Sequence, residues 1–180
     1  MEHADTRTRI QQVAIRLFNE NGYEATSLRE IADEIGVTKA ALYYHFKTKD
    51  EIVTSLIDDR ARVMDELIAW SKTLPPTLEG RRTFVERYAA ETFSAGAPEV
   101  MRFFERNPTA LRDHPSGERM RGKMLALADW LTVNGSQADR VRRTLGLLSL
   151  HAAWFILSDQ AMTDEQRRAT ALEVALDLIR

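Results

Sequence analysis

The chain of 180 residues contains no cysteine. That absence excludes a disulfide framework and any cysteine-based metal site, and it fits a reducing compartment. Long apolar runs are missing too: no stretch approaches the roughly 20 residues that cross a bilayer. The start, M-E-H-A-D-T-R, lacks the apolar segment of a signal peptide. A soluble, cytoplasmic protein without a membrane partner is expected. Catalytic signatures are absent: there is no H-E-x-x-H, G-x-S-x-G, P-loop or dinucleotide fingerprint. The four histidines (His3, His45, His114 and His151) lie far apart in the sequence. No enzyme, no metal site and no cofactor are therefore expected. Excess positive charge is also lacking, with a net charge of −2. A general nucleic-acid coat does not fit that balance, but a local basic face does, because salt screens each charge beyond about 10 Å.

Against these absences stands one dense stretch, Thr26 to Lys49 (T-S-L-R-E-I-A-D-E-I-G-V-T-K-A-A-L-Y-Y-H-F-K-T-K). Ser27 with Glu30 makes a capping box. Leu28, Ile31, Ala32 and Ile35 then recur at helical spacing. Gly36 suits a left-handed terminus, and Thr38 is placed to cap a second helix, Lys39 to His45. Two short helices joined at a glycine predict a helix-turn-helix at about residues 27–46, whose second helix enters a major groove. Thr38 to Lys49 holds three lysines, one histidine and no acid. Tyr43, Tyr44 and His45 add hydrogen-bond donors, while Ala40 and Ala41 keep one face low.

The pattern F-x-x-x-G-Y-x-x-T-S-x-x-x-I-A-x-x-x-G-V-T-x-x-x-L-Y-x-H-F-x-x-K, which runs unbroken from Phe18 to Lys49, resembles the TetR family of bacterial transcriptional repressors. The resemblance covers about a quarter of the chain. It implies an all-α dimer with a three-helix DNA-binding head and a larger body that binds an effector. It further implies that Thr26, Tyr43, His45 and Lys49 hold phosphates of double-stranded DNA, and that Lys39, Ala40, Ala41 and Tyr44 face the groove, with Ser27 and Thr38 alongside.

The rest of the chain reads as helices. The first runs from about Asp5 to Asn21, with Ile10, Val13, Ala14, Leu17 and Phe18 on one face and Arg7 and Arg9 at its start. Thr48 to Glu51 predicts another capping box opening a long helix to Trp70 or beyond, stopped before Pro75-Pro76. Further helices are expected over Thr77–Phe93, from Pro98 to about Asn107, over Glu118–Val133, from Ser136 to about Ser158, and from Thr163 onward. Arg112 to Gly117 (R-D-H-P-S-G) reads as a loop. The domains expected are a head at 4–64 and an effector-binding and dimerisation body at 65–180.

The helix after Ser136 is apolar nearly all round from Leu145 to Leu157. Such a helix needs cover on every side, and a second copy of the chain is the simplest cover. A two-fold four-helix bundle follows, with Ala169, Leu172, Ala175, Leu176 and Ile179 as one stripe of the last helix, widened by Ala171, Val174 and Leu178. Tyr88, Phe104, Met120, Met124 and His151 are the candidate walls of a pocket for a small, mainly apolar effector. The composition also allows a helical ligand-binding or scaffolding protein whose head contacts another protein. Binding to a palindromic duplex separates the two.

Overall fold

The computed structural model describes residues 6–94, 96–107, 115–157 and 161–180. Among the described residues there are nine helices and no strand: α1 (Thr6–Asn21), α2 (Leu28–Ile35), α3 (Lys39–His45), α4 (Lys49–Ser71), α5 (Leu78–Thr92), α6 (Ala97–Arg106), α7 (Pro115–Leu131), α8 (Gln137–Ile156) and α9 (Asp164–Leu178). The caps explain most of these boundaries. Ser27 with Glu30, Ser136 with Asp139 and Thr163 with Gln166 form complete capping boxes. Thr48 accepts from the amide of Glu51, but the Glu51 carboxylate reaches the Lys47 amide at 2.6 Å, one residue before the cap.

Sequence and structure part company at α7. The loop expected over Arg112 to Gly117 is partly helix, because Pro115 opens the first turn. Proline is tolerated there, since the first amides of a helix have no helical partner to lose. His3, Arg112, Asp113 and His114 lie outside the described residues, as does Ser158.

Two apolar clusters organise the chain. The first joins Ile10, Phe18, Ile31, Leu42, Phe46 and Ile52, all with 2% or less of their surface exposed. It also takes in Val100 and Phe103 of α6. Asn19 Nδ2 donates to Glu99 O at 2.8 Å, and Arg106 Nη1 donates to Asn19 O at 2.5 Å, so α6 is bound to α1 at two further points. The second cluster joins Met64, Leu67, Phe84, Tyr88, Leu127, Leu131, Leu147, Leu150 and Ile179. Helix α4, 23 residues long and so about 35 Å at 1.5 Å per residue, supplies side chains to both.

Helices α8 and α9 pack closely at Gly146. A Cβ added there would lie 3.2 Å from Ala175 O and 3.2 Å from Ile179 Cγ2. The inward stripe of α9 is Ala171, Ala175 and Ile179. Ala169, expected on that stripe, is exposed, and Leu172 and Leu176 are half-buried flanks. The close approach at a glycine selects the small residues Ala171 and Ala175 as the contact line, which turns Ala169 outward.

Arginines close several helix ends in the body. Arg81 donates to Leu131 O (2.9 Å) and Val133 O (2.8 Å), Arg143 to Leu131 O (3.2 Å), and Arg167 to Leu157 O (3.3 Å). A cation at a helix C-terminus meets free carbonyls and the negative end of the macrodipole.

Candidate nucleic-acid interface

The turn between α2 and α3 follows from Gly36, at φ 76° in the left-handed region, where glycine carries no Cβ penalty. Its amide donates to Ala32 O (3.1 Å), and the next amide, of Val37, also reaches Ala32 O (3.0 Å). The chain thereby reverses direction, and Thr38 starts α3 by accepting from the Ala41 amide at 3.1 Å. Leu42 and Phe46 are buried and fix the roll of α3 on the head. The opposite face then points outward: Thr38, Lys39 and Ala40 are exposed, and Tyr44 is 81% exposed. Ala41, Tyr43 and His45 are half-buried beside them. Tyr44 meets the neighbouring His45 ring edge-on at 5.2 Å and turns most of its surface to solvent.

A recess of about 420 Å³ lies beside this face, bounded by Glu24, Thr26, Ser27, Leu28, Arg29, Lys39, Tyr43 and Lys49. It gathers five of the residues expected at DNA: Thr26, Ser27, Lys39, Tyr43 and Lys49. Not all of them have donors to offer. Thr26 is 2% exposed, and its hydroxyl donates within the head to Gly22 O at 2.9 Å. The Thr26 hydroxyl locks the turn through Gly22 O and Leu17 O and is not turned outward as the expected phosphate donor in this structure. Ser27 Oγ is engaged with Glu30 in both directions, accepting from its amide and donating to its carboxylate. Lys49 Nζ bends inward to Tyr23 O (2.5 Å) and lies 4.5 Å from the Tyr23 ring centre. It must swing out to meet a phosphate.

The Glu30 carboxylate occupies the position an anion takes at the start of α2. The Ser27 hydroxyl and amide stabilise its ionised form and hold its pKa below the ordinary glutamate value. Arg29, which the sequence reading passed over, is exposed on the same recess. Its signal was legible: a cation in the first turn of a helix opposes the macrodipole and calls for another reason. Glu20 and Glu34 are both paired to Arg16, and Asp33 lies 3.7 Å from Arg29. Arg9 caps the end of α2 through Ile35 O at 3.2 Å, and Arg7 lies over the Phe46 ring at 5.1 Å.

Of the expected pocket residues, three meet in the body. The Tyr88 hydroxyl is 2.7 Å from His151 Nε2 and 3.1 Å from Met124 Sδ, with Met120 packed on the same cluster. Burial raises the Tyr88 pKa above its ordinary value, and burial, followed by the charge of Arg60, lowers that of His151 to about 4. Both groups are neutral at pH 7. Phe104 is a correction: it stacks edge-on against Phe103 at 5.3 Å, and Phe103 meets Phe18 and Tyr23 at 5.8 Å. It belongs to the core of the head, because α6 turns its aromatic face toward α1.

The geometry of two capped helices, a left-handed glycine and an exposed donor face has a counterpart among known proteins. The family model for bacterial regulatory proteins of the tetR family matches residues 10–56. The head matches that family's model. This tetR-type head is 46% identical over 55 residues to the transcriptional regulator AcrR of Shigella flexneri, covering 31% of this chain and 26% of that one. It is 38% identical over 77 residues to the transcriptional repressor KstR2 of Rhodococcus jostii, covering 41% and 38% respectively. The matches therefore span only about a quarter to two fifths of these curated relatives. Across the whole chain, the fold is similar to that of Mycobacterium smegmatis AmtR, with a TM-score of 0.74 over 99% of this chain and 88% of that one. Identity there is 22%, so the likeness beyond the tetR-type head is one of fold. Among the described residues no helix is long and apolar enough to cross a membrane.

Proposed function

We propose that this protein is a DNA-binding transcriptional regulator that acts as a repressor in the cytoplasm. Two copies hold their heads on the half-sites of a palindromic duplex, and a small, mainly apolar molecule in the body releases them. The observation that carries the reading is the outward face of α3. Lys39 and Tyr44 stand exposed on a helix whose roll is set by buried Leu42 and Phe46. A lysine so placed reaches guanine O6 and N7, and Thr38, Tyr43 and His45 flank it as donors to phosphate. Arg29 and Lys49 supply charge at the recess beside it. In this reading the chain binds and switches, and performs no catalysis.

Residues 4–64 serve as the head and 65–180 as the effector and dimer body, with α4 as the lever between them. Exposed apolar residues of α8 support the dimer. Val141, Leu145 and Leu148 are 61, 49 and 46% exposed, and their spacings of four and three place them on one stripe. Two heads joined in this way meet half-sites about 34–36 Å apart or at a larger distance in helical phase.

Selection from random duplexes tests the proposal. The expected product is one inverted repeat, bound with an affinity that falls steeply with salt. Recovery of no common sequence, or binding indifferent to salt, would leave the head without a DNA-reading role.

A further inference from the structure

A cavity of about 170 Å³ lies where α1, α4 and α6 meet, at the junction of head and body. Its apolar wall includes Ile15, Leu56 and Val100, and its polar wall includes Gln12, Asp59 and Arg60. The two charges differ in how they are answered. Asp59 Oδ2 accepts from Gln11 Nε2 at 2.7 Å, and its other oxygen is paired to Arg62. Arg60 makes one hydrogen bond, from Nη1 to Glu91 O at 3.0 Å, and has no carboxylate partner among the described residues. A guanidinium carries five N–H donors. Arg81, the comparable helix-closing arginine, fills two carbonyls. Burial is costly enough to lower the pKa of Arg60, with Tyr88 and Glu91 only partly offsetting it. A half-buried cation with unused donors on a cavity wall is an anion site in search of its anion.

We propose that this cavity binds a small organic monocarboxylate, with the carboxylate on Arg60 and a short apolar tail against Ile15, Leu56 and Val100. At about 30 Å³ per water, the space holds the equivalent of roughly six waters, which suits an acid of about four to six carbons. A carboxylate takes two parallel N–H donors of a guanidinium, a fit that neutral oxygen ligands lack. Tyr88, Met124 and His151 do not line this cavity, although the charge of Arg60 reaches Tyr88 and His151. The cavity is walled by the head on one side and α6 on the other, so its occupant would tie α1 to the lever α4.

The test uses the full chain without DNA, so its outcome is independent of whether the head reads DNA. Butanoate, hexanoate and their primary amides are titrated by calorimetry at pH 7.5. The acids should bind about ten- to a hundredfold more tightly than the amides, as expected for a charge-assisted pair. Arg60→Gln keeps one donor for Glu91 O and should bring acid and amide to equal affinity. Gln12→Trp, at an exposed position on the cavity wall, should weaken the acids without altering the melting profile. Equal binding of acid and amide by the wild-type chain would overturn the proposal. So would no binding of either acid up to about 10 mM, an affinity below any useful site, or acid binding unchanged by both substitutions.

Discussion

Nε2 of His151 lies 2.7 Å from the Tyr88 hydroxyl and ties α8 to α5 inside the apolar cluster of the body. The pair accepts no charge readily. An unfolded histidine titrates near 6.5, whereas burial lowers His151 to about 4 in the fold. Between these values the unfolded chain binds a proton that the native chain refuses, so stability falls as pH falls. The contribution of neutral His151 is complete above pH 6.5 and lost progressively toward pH 4. Urea unfolding at pH 7.5 and 4.5 should show a difference of about 2–3 kcal/mol from this group. His151→Gln, which does not titrate and retains a hydrogen-bonding group, should remove most of that difference. An unchanged difference in the variant would place the acid sensitivity elsewhere.

Division of labour at the DNA face gives a second test. Lys39→Ala should relax sequence preference, losing about 1–3 kcal/mol of discrimination at the base pair it reads. Arg29→Ala should weaken cognate and random duplexes alike and lower the salt slope by about one unit. Fluorescence anisotropy over a salt series measures both. If the two variants behave identically on cognate and random DNA, the assignment of base and backbone roles fails.

The helices of the head were legible in the sequence because their determinants are local. Ser27 and Glu30, Gly36 and Thr38 each act within four residues, and all four do in the fold what their types suggest. The outward face of α3 was equally readable, since buried Leu42 and Phe46 set its roll. What escaped was set by distant contacts. Thr26 looks like a free hydroxyl until the turn from Gly22 closes over it. Phe104 looks like a body aromatic until α6 is seen against α1. Arg60 carries no pattern at all; its interest comes from a cavity made by three helices far apart in sequence. The apolar periodicity of α9 has two nearly equal solutions, and the choice fell to Gly146 on another helix.

That glycine supplies a third prediction. A side chain at position 146 meets Ala175 O and Ile179 Cγ2 at 3.2 Å and Leu178 Cβ at 3.4 Å from its Cβ alone. Gly146→Leu must push α9 away from α8, at a cost of about 1–3 kcal/mol for overpacking. The melting temperature should fall, and dimerisation should weaken with it, because the bundle is proposed to be built from both helices. Gly146→Ala sets a single methyl at 3.2 Å from those atoms against about 1 kcal/mol of gained helix propensity, so it should shift the melting temperature much less than Gly146→Leu. A melting temperature unchanged in Gly146→Leu would show that the two helices separate freely.

The dimer itself is best tested where the chain leaves α8 uncovered. Leu176 is a poor site, because it packs partly within its own body and its replacement by a charge confounds folding with assembly. Leu148 is 46% exposed, on the same stripe as Val141 and Leu145. Leu148→Arg therefore leaves the isolated fold intact, while two arginines near a two-fold seam would be buried without partners and repel each other. Sedimentation should show dimers for the wild-type chain at micromolar concentration and folded monomers, with the same helical circular dichroism, for the variant. DNA separates the consequences further. A monomer retains one head, so its affinity for a single half-site should be unchanged, while its affinity for the palindrome should drop to that half-site value as the effective concentration of the second head is lost. A wild-type chain that sediments as a monomer would remove the basis for two-headed reading. A variant that stays dimeric would move the seam away from this stripe and leave Val141 and Leu145 to be covered by something other than a second copy.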